Sequence, residues 1–180
     1  MSALEEKVLV SVCCTAYNHA KYIRSCLDGF VNQKTNFKYE VIVHDDASTD
    51  NTANIIREYA DKYPEIIKPI FQKENQYSKG IRISNTFIIP KCQGKYIAYC
   101  EGDDYWTDPL KLQKQVDFME ENPEYSVCFH DFQVYDVRKG KLYNMQYKNP
   151  QLMTDNGVDV TNDTFFHMSY GGQPLTMMFR

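Results

Sequence analysis

"YIAYCEGDDYWTDP", Tyr96 to Pro109, decides how this chain is read, because it passes from an apolar run through a cluster of three acids within four residues to a proline that can open a helix. The run "KYIAYC" is short, continuous and apolar, as in a strand buried on both faces. Glu101, Asp103 and Asp104 follow at its carboxyl end, and "DPLKLQKQVDFMEEN" then has helical periodicity with Pro109 at a favoured first-turn position. Strand, polar loop and helix in that order make one α/β unit.

The same unit recurs on the N-terminal side. "KVLVSVCC" predicts a valine-rich strand, "TAYNHAK" a turn, and "YIRSCLDGFVNQ" a helix with Ile23, Leu27, Phe30 and Val31 on one side. "YEVIVH" predicts a second buried strand, and "DDASTDNTANIIREYADKY" offers Ser, Thr and Asp caps before a helix carrying Ile55, Ile56 and Tyr59. A third strand, "EIIKPIF", follows the Tyr63-Pro64 break. After polar "KENQYSKG", the stretch "IRISNTFIIPKCQG" predicts a helix stopped by Pro90 and Gly94.

Strands alternating with helices imply parallel pairing through long crossovers, so the expected fold is α/β: a Rossmann-like, mostly parallel central sheet with helices on both faces. Beyond Asn122 the pattern changes to two strands around an Arg138–Lys141 turn, a polar loop over 148–174, and a last strand in "PLTMMFR". Residues 1–180 are expected to form a single domain with this C-terminal hairpin and loop region attached.

Composition narrows the function classes. The net charge of −4 comes from interspersed signs without a Lys/Arg-rich run, which argues against a surface that binds nucleic acid. No apolar segment approaches the roughly 20 residues that span a bilayer, and "MSALEEKVLV" lacks the features of a signal peptide. The expected location is cytoplasmic, with peripheral association at the inner face of the membrane left open. The six cysteines have no CxxC spacing and lie mostly in apolar runs, so reduced, buried thiols are expected rather than zinc ligands or disulfides.

Ligands of open α/β sheets gather at the carboxyl ends of the strands. There the first strand ends in Thr15, Tyr17 and Asn18, the second in His44, Asp45 and Asp46, and the fourth in Glu101, Gly102, Asp103 and Asp104. Carboxylates converging on one edge raise one another's pKa unless a cation or hydroxyl donors compensate. Oxygen-only donors suit Mg²⁺ or Mn²⁺, which share substrate phosphate oxygens. Acids after strands also form turns and caps, and that is the expected role of Asp50 and Asp108.

In sum "VSVCCTAYNHAKYIRSCLDGFVNQ", "YEVIVHDDASTDNT", "KENQYSKGIRISN" and "GKYIAYCEGDDYWTDPLKLQKQVDFMEENPE" resemble, in the family's order, a family 2 glycosyltransferase of GT-A fold. The resemblance implies inverting transfer of a sugar from a UDP- or GDP-linked donor to the hydroxyl of a glycan or lipid-linked sugar acceptor, in bacterial polysaccharide assembly. It implies a divalent metal on Asp103, the acid of a DxD-like motif, with Glu101 in place of the more common Asp. Asp46, with Asp45, corresponds to the pair that reads the nucleobase edge, Tyr17 to the aromatic that packs on the base, and Thr15, Asn18 and Gly102 complete the nucleotide-binding set. Arg82, and less so Lys79, lie in the segment that meets the nucleotide. On this reading 8–125 is the nucleotide-sugar-binding half and 126–180 part of the acceptor-side half.

Breaking the anomeric C–O bond puts negative charge on the departing nucleotide, so a cation on its phosphates favours the transition state. The acceptor hydroxyl must lose a proton to a base. The resemblance puts that base beyond the "PLTMMFR" strand, past Arg180, and none of Asp131, Asp155, Asp159 and Asp163 stands in a recognisable base motif. A nucleotide-sugar-binding fragment without turnover is therefore the alternative to an active transferase.

Other readings are weaker. His44-Asp45 and His130-Asp131 match the dipeptide of HD-type phosphohydrolases, but those folds are helical and both dipeptides fall at strands. No "G-x-G-x-x-G" follows the first strand. A scaffold built on "CFHDFQVYDV" would leave the acids unexplained. Tyr105 and Trp106 could line a sugar pocket, although Trp106 ahead of Pro109 reads as an anchor for the next helix. His19 and His167 have no evident partner.

Overall fold

The computed structural model of the chain describes residues 7–145, 153–154, 157–158 and 176–180. The elements run β1 (Val10–Ala16), α1 (Ile23–Val31), β2 (Tyr39–Asp45), α2 (Thr52–Lys62), β3 (Ile67–Phe71), β4 (Tyr96–Tyr99) and α3 (Lys111–Glu121). They are followed by β5 (Val127–Cys128), β6 (Phe132–Asp136), β7 (Lys141–Met145), the two-residue strands β8 (Met153–Thr154) and β9 (Gly157–Val158), and β10 (Met178–Phe179).

One six-stranded sheet has the order β3-β2-β1-β4-β10-β5. The first four strands pair in parallel, and β10 runs antiparallel between β4 and β5. The expected parallel sheet and the last strand in "PLTMMFR" are both present, and β6–β7 form the hairpin. Most of the expected loop 148–174 lies outside the described residues; within it β8 and β9 pair.

Strand alternation divides the core between the two faces of the sheet. Val10, Val12, Cys14, Val41, Val43, Tyr96 and Ala98 point to one face, where α1 supplies Ile23, Leu27 and Phe30, α2 Ile56 and Tyr59, and α3 Leu112, Val116 and Met119. Cys13 and Ile42 point to the other, where Ile88 covers them together with Ile83 and Cys92. At about 25 cal/mol per Å² of apolar surface, this two-faced burial is the main favourable term in holding the sheet.

The cover on that second face differs from the regular helix expected. Ser84–Ile88 winds as a π-turn and Ile89–Lys91 as a 3-10 turn, ending at Cys92. Pro90 is the physical reason: it has no N–H to continue an α-helical ladder. Helix α3 also begins later than Pro109. Asp108 accepts the Leu110 N–H at 2.9 Å and its carbonyl accepts the Lys111 N–H at 3.2 Å, so Pro109 and Leu110 form a turn ahead of the helix.

The chain passes from β1 through β2 to β3 on one side and then returns to β4 on the other side of β1. The crevice at the carboxyl ends of β1 and β4 is therefore a reversal point of strand order, where open α/β sheets place ligands. A pocket of about 230 Å³ lies there, lined by Cys13, Thr15, Ser84, Tyr99, Cys100 and Glu101. Of the six cysteines, expected as buried thiols, Cys13, Cys14, Cys26 and Cys100 are buried and Cys92 and Cys128 are half-buried.

Candidate functional site

The loops after β1 and β2 brace each other. The Asn18 N–H donates to Ser48 Oγ at 2.9 Å, the Thr49 N–H donates to Asn18 Oδ1 at 2.8 Å, and the Ala20 N–H donates to Asp50 Oδ2 at 3.0 Å. Two residues in these loops take left-handed backbone, Asn18 at φ 56° and Ala47 at φ 61°. Asn tolerates that region through local hydrogen bonds, whereas Ala pays for its Cβ, so the bracing contacts hold Ala47 against an unfavourable conformation.

Asp45 and Asp46 are buried at the end of this brace. Asp46 Oδ1 accepts the Gln76 N–H at 2.8 Å and Oδ2 accepts the Tyr77 N–H at 3.0 Å, so this carboxylate ties the 76–77 turn to β2. Asp45 Oδ2 accepts the Ser48 N–H at 3.2 Å, while Oδ1 has no hydrogen-bond partner. Thr15 is half-buried at the crevice, and Tyr17 leaves 43% of its surface exposed beside Asn18. Lys79 is taken up by an ion pair with Glu74. Among the described residues Arg82, which is exposed, has no ion pair.

After β4 the backbone turns tightly. The Gly102 N–H donates to the Thr15 carbonyl at 2.9 Å, and a Cβ on Gly102 would stand 2.9 Å from His19 Nδ1 and 3.0 Å from Ala16 Cβ. Only glycine lets the loop approach β1 this closely, and the approach fans the acids out. Carboxylate oxygens of Glu101, Asp103 and Asp104 all lie within 4.8 Å of one another. Burial, followed by the charges of Asp103 and Glu101, pushes the Asp104 carboxyl up to about 6. The repulsion that the sequence predicts for uncompensated acids is the smaller contribution to this shift, and a hard divalent cation suits an all-oxygen set of this kind.

The five carboxylates expected on this edge thus separate into two groups with different work. Glu101, Asp103 and Asp104 form the open cluster, whereas Asp45 and Asp46 are enclosed by backbone donors.

The sequence pattern of glycosyl transferase family 2 matches residues 11–177, which takes in all but the first residue of β1, the whole of β2 to β5 and the acid cluster, and stops just before β10. The chain belongs to glycosyl transferase family 2. An uncharacterised protein of Mycobacterium tuberculosis is 48% identical over 125 residues, covering 69% of this chain and 35% of that protein. A Bacillus subtilis protein provisionally named as the teichuronic acid biosynthesis glycosyltransferase TuaG is 35% identical over 131 residues, 73% of this chain and 48% of the relative. The structure of S. aureus TarS 1-349 in complex with UDP superposes with a TM-score of 0.56 at 27% identity, covering 67% of this chain and 34% of TarS. The chain therefore spans about a third to a half of the length of these relatives.

Within this glycosyl transferase family 2 domain, the acid cluster opens sideways onto a larger cavity of about 660 Å³. It runs from Asp103 and Asp104 past Tyr105 and Trp106 to α3 and the β6–β7 hairpin. Trp106 is 6% exposed and packs edge-on against Phe30 with ring centroids 4.9 Å apart, so it anchors the loop as the sequence suggests while also forming part of the cavity wall. Tyr105 is half-exposed at the same wall.

Neither His-Asp dipeptide builds a metal site. His44 is buried in β2 with Nε2 3.0 Å from Gln72 Nε2 and its ring stacked on Phe87, and His130 Nδ1 lies 2.7 Å from the Asp131 carbonyl. The HD-phosphohydrolase reading falls on that geometry. His19, for which the sequence offers no partner, stands 3.9 Å from Asp103 Oδ1. Lys111 is a second residue the sequence did not single out: it is 4% exposed, with Nζ 3.7 Å from the centre of the Trp106 ring. Asp155, Asp159, Asp163 and His167 lie outside the described residues.

Proposed function

We propose that this chain is the donor-binding part of a transferase that takes a nucleoside diphosphate sugar, UDP- or GDP-linked, and passes the sugar with inversion to an acceptor hydroxyl on a glycan or lipid-linked sugar. The observation that carries this reading is the Glu101, Asp103 and Asp104 cluster at the reversal point of strand order, adjoining the pocket that contains Thr15. The likeness to TarS with UDP supports a uridine nucleotide, and the likeness to TuaG supports polysaccharide assembly.

Asp103 and Glu101 are the residues that would hold Mn²⁺ or Mg²⁺, which when bound supplies neutralisation of the charge that develops on the diphosphate. Tyr17 offers an exposed ring face to the base, an interaction worth about 1–3 kcal/mol. Asp45, with Oδ1 unpartnered, is the member of the acid pair with capacity left for the base edge, and Asp46 holds the 76–77 turn that precedes Arg82 in the chain. Asn18, by bracing the β2 loop, and Gly102, by its close approach to β1, shape the nucleotide site.

No helix among the described residues is long and apolar enough to cross a membrane, which is compatible with a cytoplasmic enzyme working at the inner membrane face. Calorimetric titration with UDP and with GDP, each with and without Mn²⁺, tests the reading. One of the two should bind in a Mn²⁺-dependent manner, and Asp103→Asn should weaken that binding by about tenfold or more; unchanged binding in the variant would refute the metal assignment. Product formation with a donor sugar and a glycan acceptor distinguishes a transferase from a nucleotide-sugar-binding module without turnover.

A further inference from the structure

Cys13 and Cys92 stand 79 residues apart in the chain, yet their Sγ atoms lie 3.7 Å from each other. Both are free thiols, Cys13 buried on the second face of the sheet and Cys92 half-buried at the end of the turns that cover that face. Cys14, Cys26 and Cys100, by contrast, are all buried in the core of the opposite face. The Cys13 and Cys92 pair therefore combines a sulfur that an oxidant can reach with a second sulfur behind it.

The backbone beside the pair is held in place. Ser11 Oγ donates to Glu40 Oε1 at 2.6 Å and accepts the N–H groups of Gln93 at 3.0 Å and Gly94 at 2.9 Å. A Cβ on Gly94 would stand 2.5 Å from the Ser11 nitrogen, so the residues after Cys92 press directly against β1. The segment before Cys92 is a π-turn and a 3-10 turn rather than a regular helix, and Pro90 removes one backbone donor from it. Closing the sulfurs from 3.7 Å to the roughly 2.05 Å of a disulfide is a displacement that side-chain rotation and a small shift of this irregular segment supply.

The two thiols are not equivalent. The neighbouring Cys13 thiol holds Cys92 below its ordinary pKa, against the effect of burial, whereas the contact with Cys92 and then burial push Cys13 up. Cys92 is thus the sulfur that attacks, and Cys13 the one that resolves.

We propose that Cys13 and Cys92 form a peroxide-sensitive modification site that closes to a reversible disulfide and fastens the 84–92 cover to β1. The Cys92 sulfur attacks one oxygen of hydrogen peroxide and the O–O bond breaks. Cys92 becomes a sulfenic acid, and the other oxygen leaves as hydroxide and takes up the Cys92 proton. The Cys13 sulfur then attacks the Cys92 sulfur, the S–O bond breaks, and the departing hydroxide takes the Cys13 proton. Two thiols give up two electrons in all, and one peroxide becomes two waters. Ser84, in the fastened segment, and Cys13 both line the 230 Å³ crevice pocket, so the bond fixes one wall of it. The site is independent of the proposed sugar-transfer reading.

Titration of the full chain with hydrogen peroxide at neutral pH, followed by alkylation and mass spectrometry without reduction, tests it. The expected product has lost two hydrogens, carries a link between Cys13 and Cys92, and keeps four of the six thiols. Dithiothreitol should return all six, and the linked form should melt about 5 °C or more above the reduced one, as for a bond that closes a long loop. Cys92→Ser, at a half-buried position, should keep all of its remaining thiols at the same dose, and Cys13→Ala should instead gather an oxyacid at Cys92. A link between any other pair, a sulfinic or sulfonic acid at Cys92 with Cys13 still free, or intact thiols at a dose that consumes free cysteine overturns the proposal. The same thiol loss in Cys92→Ser overturns it too, as does a linked form that melts no higher than the reduced one, because the cover would then not be fastened.

Discussion

His19 Nδ1 lies 3.9 Å from Asp103 Oδ1, and Gly102, the residue before Asp103, packs closely against the segment that carries His19. A methyl group on Gly102 would come within 3.0 Å of Ala16 Cβ and Ile23 Cδ1 and within 2.9 Å of His19 Nδ1. Two of these three neighbours are fully enclosed, so the loop rather than the neighbours must give. Gly102→Ala is expected to destabilise the fold by about 1–3 kcal/mol and to weaken Mn²⁺-dependent nucleotide binding by displacing Asp103. Urea unfolding and calorimetry on the same preparation check both effects; a variant with wild-type stability and binding would show that the close approach is unimportant.

Asp46 is expected to behave as a structural residue. Both of its oxygens accept backbone N–H groups, from Gln76 and Tyr77, in a buried setting. Asp46→Ala leaves those donors without a partner, at about 1–3 kcal/mol for each buried group, while Asp46→Asn keeps one acceptor and should lose less. Thermal melts of the two variants without nucleotide make the distinction. If both melt with the wild type, the hydrogen bonds to the 76–77 turn carry no weight in stability.

The parts of this molecule legible in the sequence are those where one local signal decides the outcome. "VSVCC", "VIVH" and "YIAY" are continuous apolar runs and become the parallel centre of the sheet, and the acids after β4 stand together because the chain has no room to separate them. The Asp45-Asp46 pair reads from sequence as acids on the same strand edge, and by resemblance as the pair at the nucleobase edge; what the sequence hides is that both oxygens of Asp46 accept backbone N–H groups from a turn some thirty residues further on. Lys111 escapes notice for a similar reason: nothing at a helix start marks a lysine as buried, and the Trp106 ring beneath its ammonium belongs to the loop before α3. His19 reads as partnerless because the residue beside it belongs to a loop brought close by sheet topology rather than by sequence.

Asp50 supports the brace between the first two loops. Its Oδ1 accepts from the Thr52 N–H at 2.9 Å and Thr52 Oγ at 2.5 Å, and its Oδ2 from the Ala20 N–H. Burial acts to raise its pKa, but these donors outweigh it and hold the carboxyl below its ordinary 3.8. A depressed carboxylate contributes stability that is present above the unfolded value and is lost as pH falls through the folded one. Asp50→Ala should cost about 1 kcal/mol at pH 7, as for loss of a helix cap. The cost should shrink below pH 3.8, a trend that unfolding curves at pH 7 and pH 3 would reveal or exclude.

Lys111 should give the opposite pH dependence. Its ammonium is buried without a hydrogen bond, and burial pulls its pKa down from 10.5 to about 7. Between those values the unfolded chain binds the proton and the folded one does not, so this residue makes stability rise with pH across the window from 7 to 10.5. Below pH 7 the charge is buried at full cost, offset in part by the Trp106 ring, a contact worth up to about 2 kcal/mol when desolvated. Lys111→Met keeps the length of the side chain and removes the charge. It should stabilise the protein by on the order of 2 kcal/mol near pH 6.5, with the advantage shrinking steadily towards pH 9.5. Urea unfolding of both proteins at several pH values in that range supplies the test. A gap that does not change with pH would mean that Lys111 is not the titrating group, and a destabilised variant would mean that the contact with Trp106 outweighs the burial of charge.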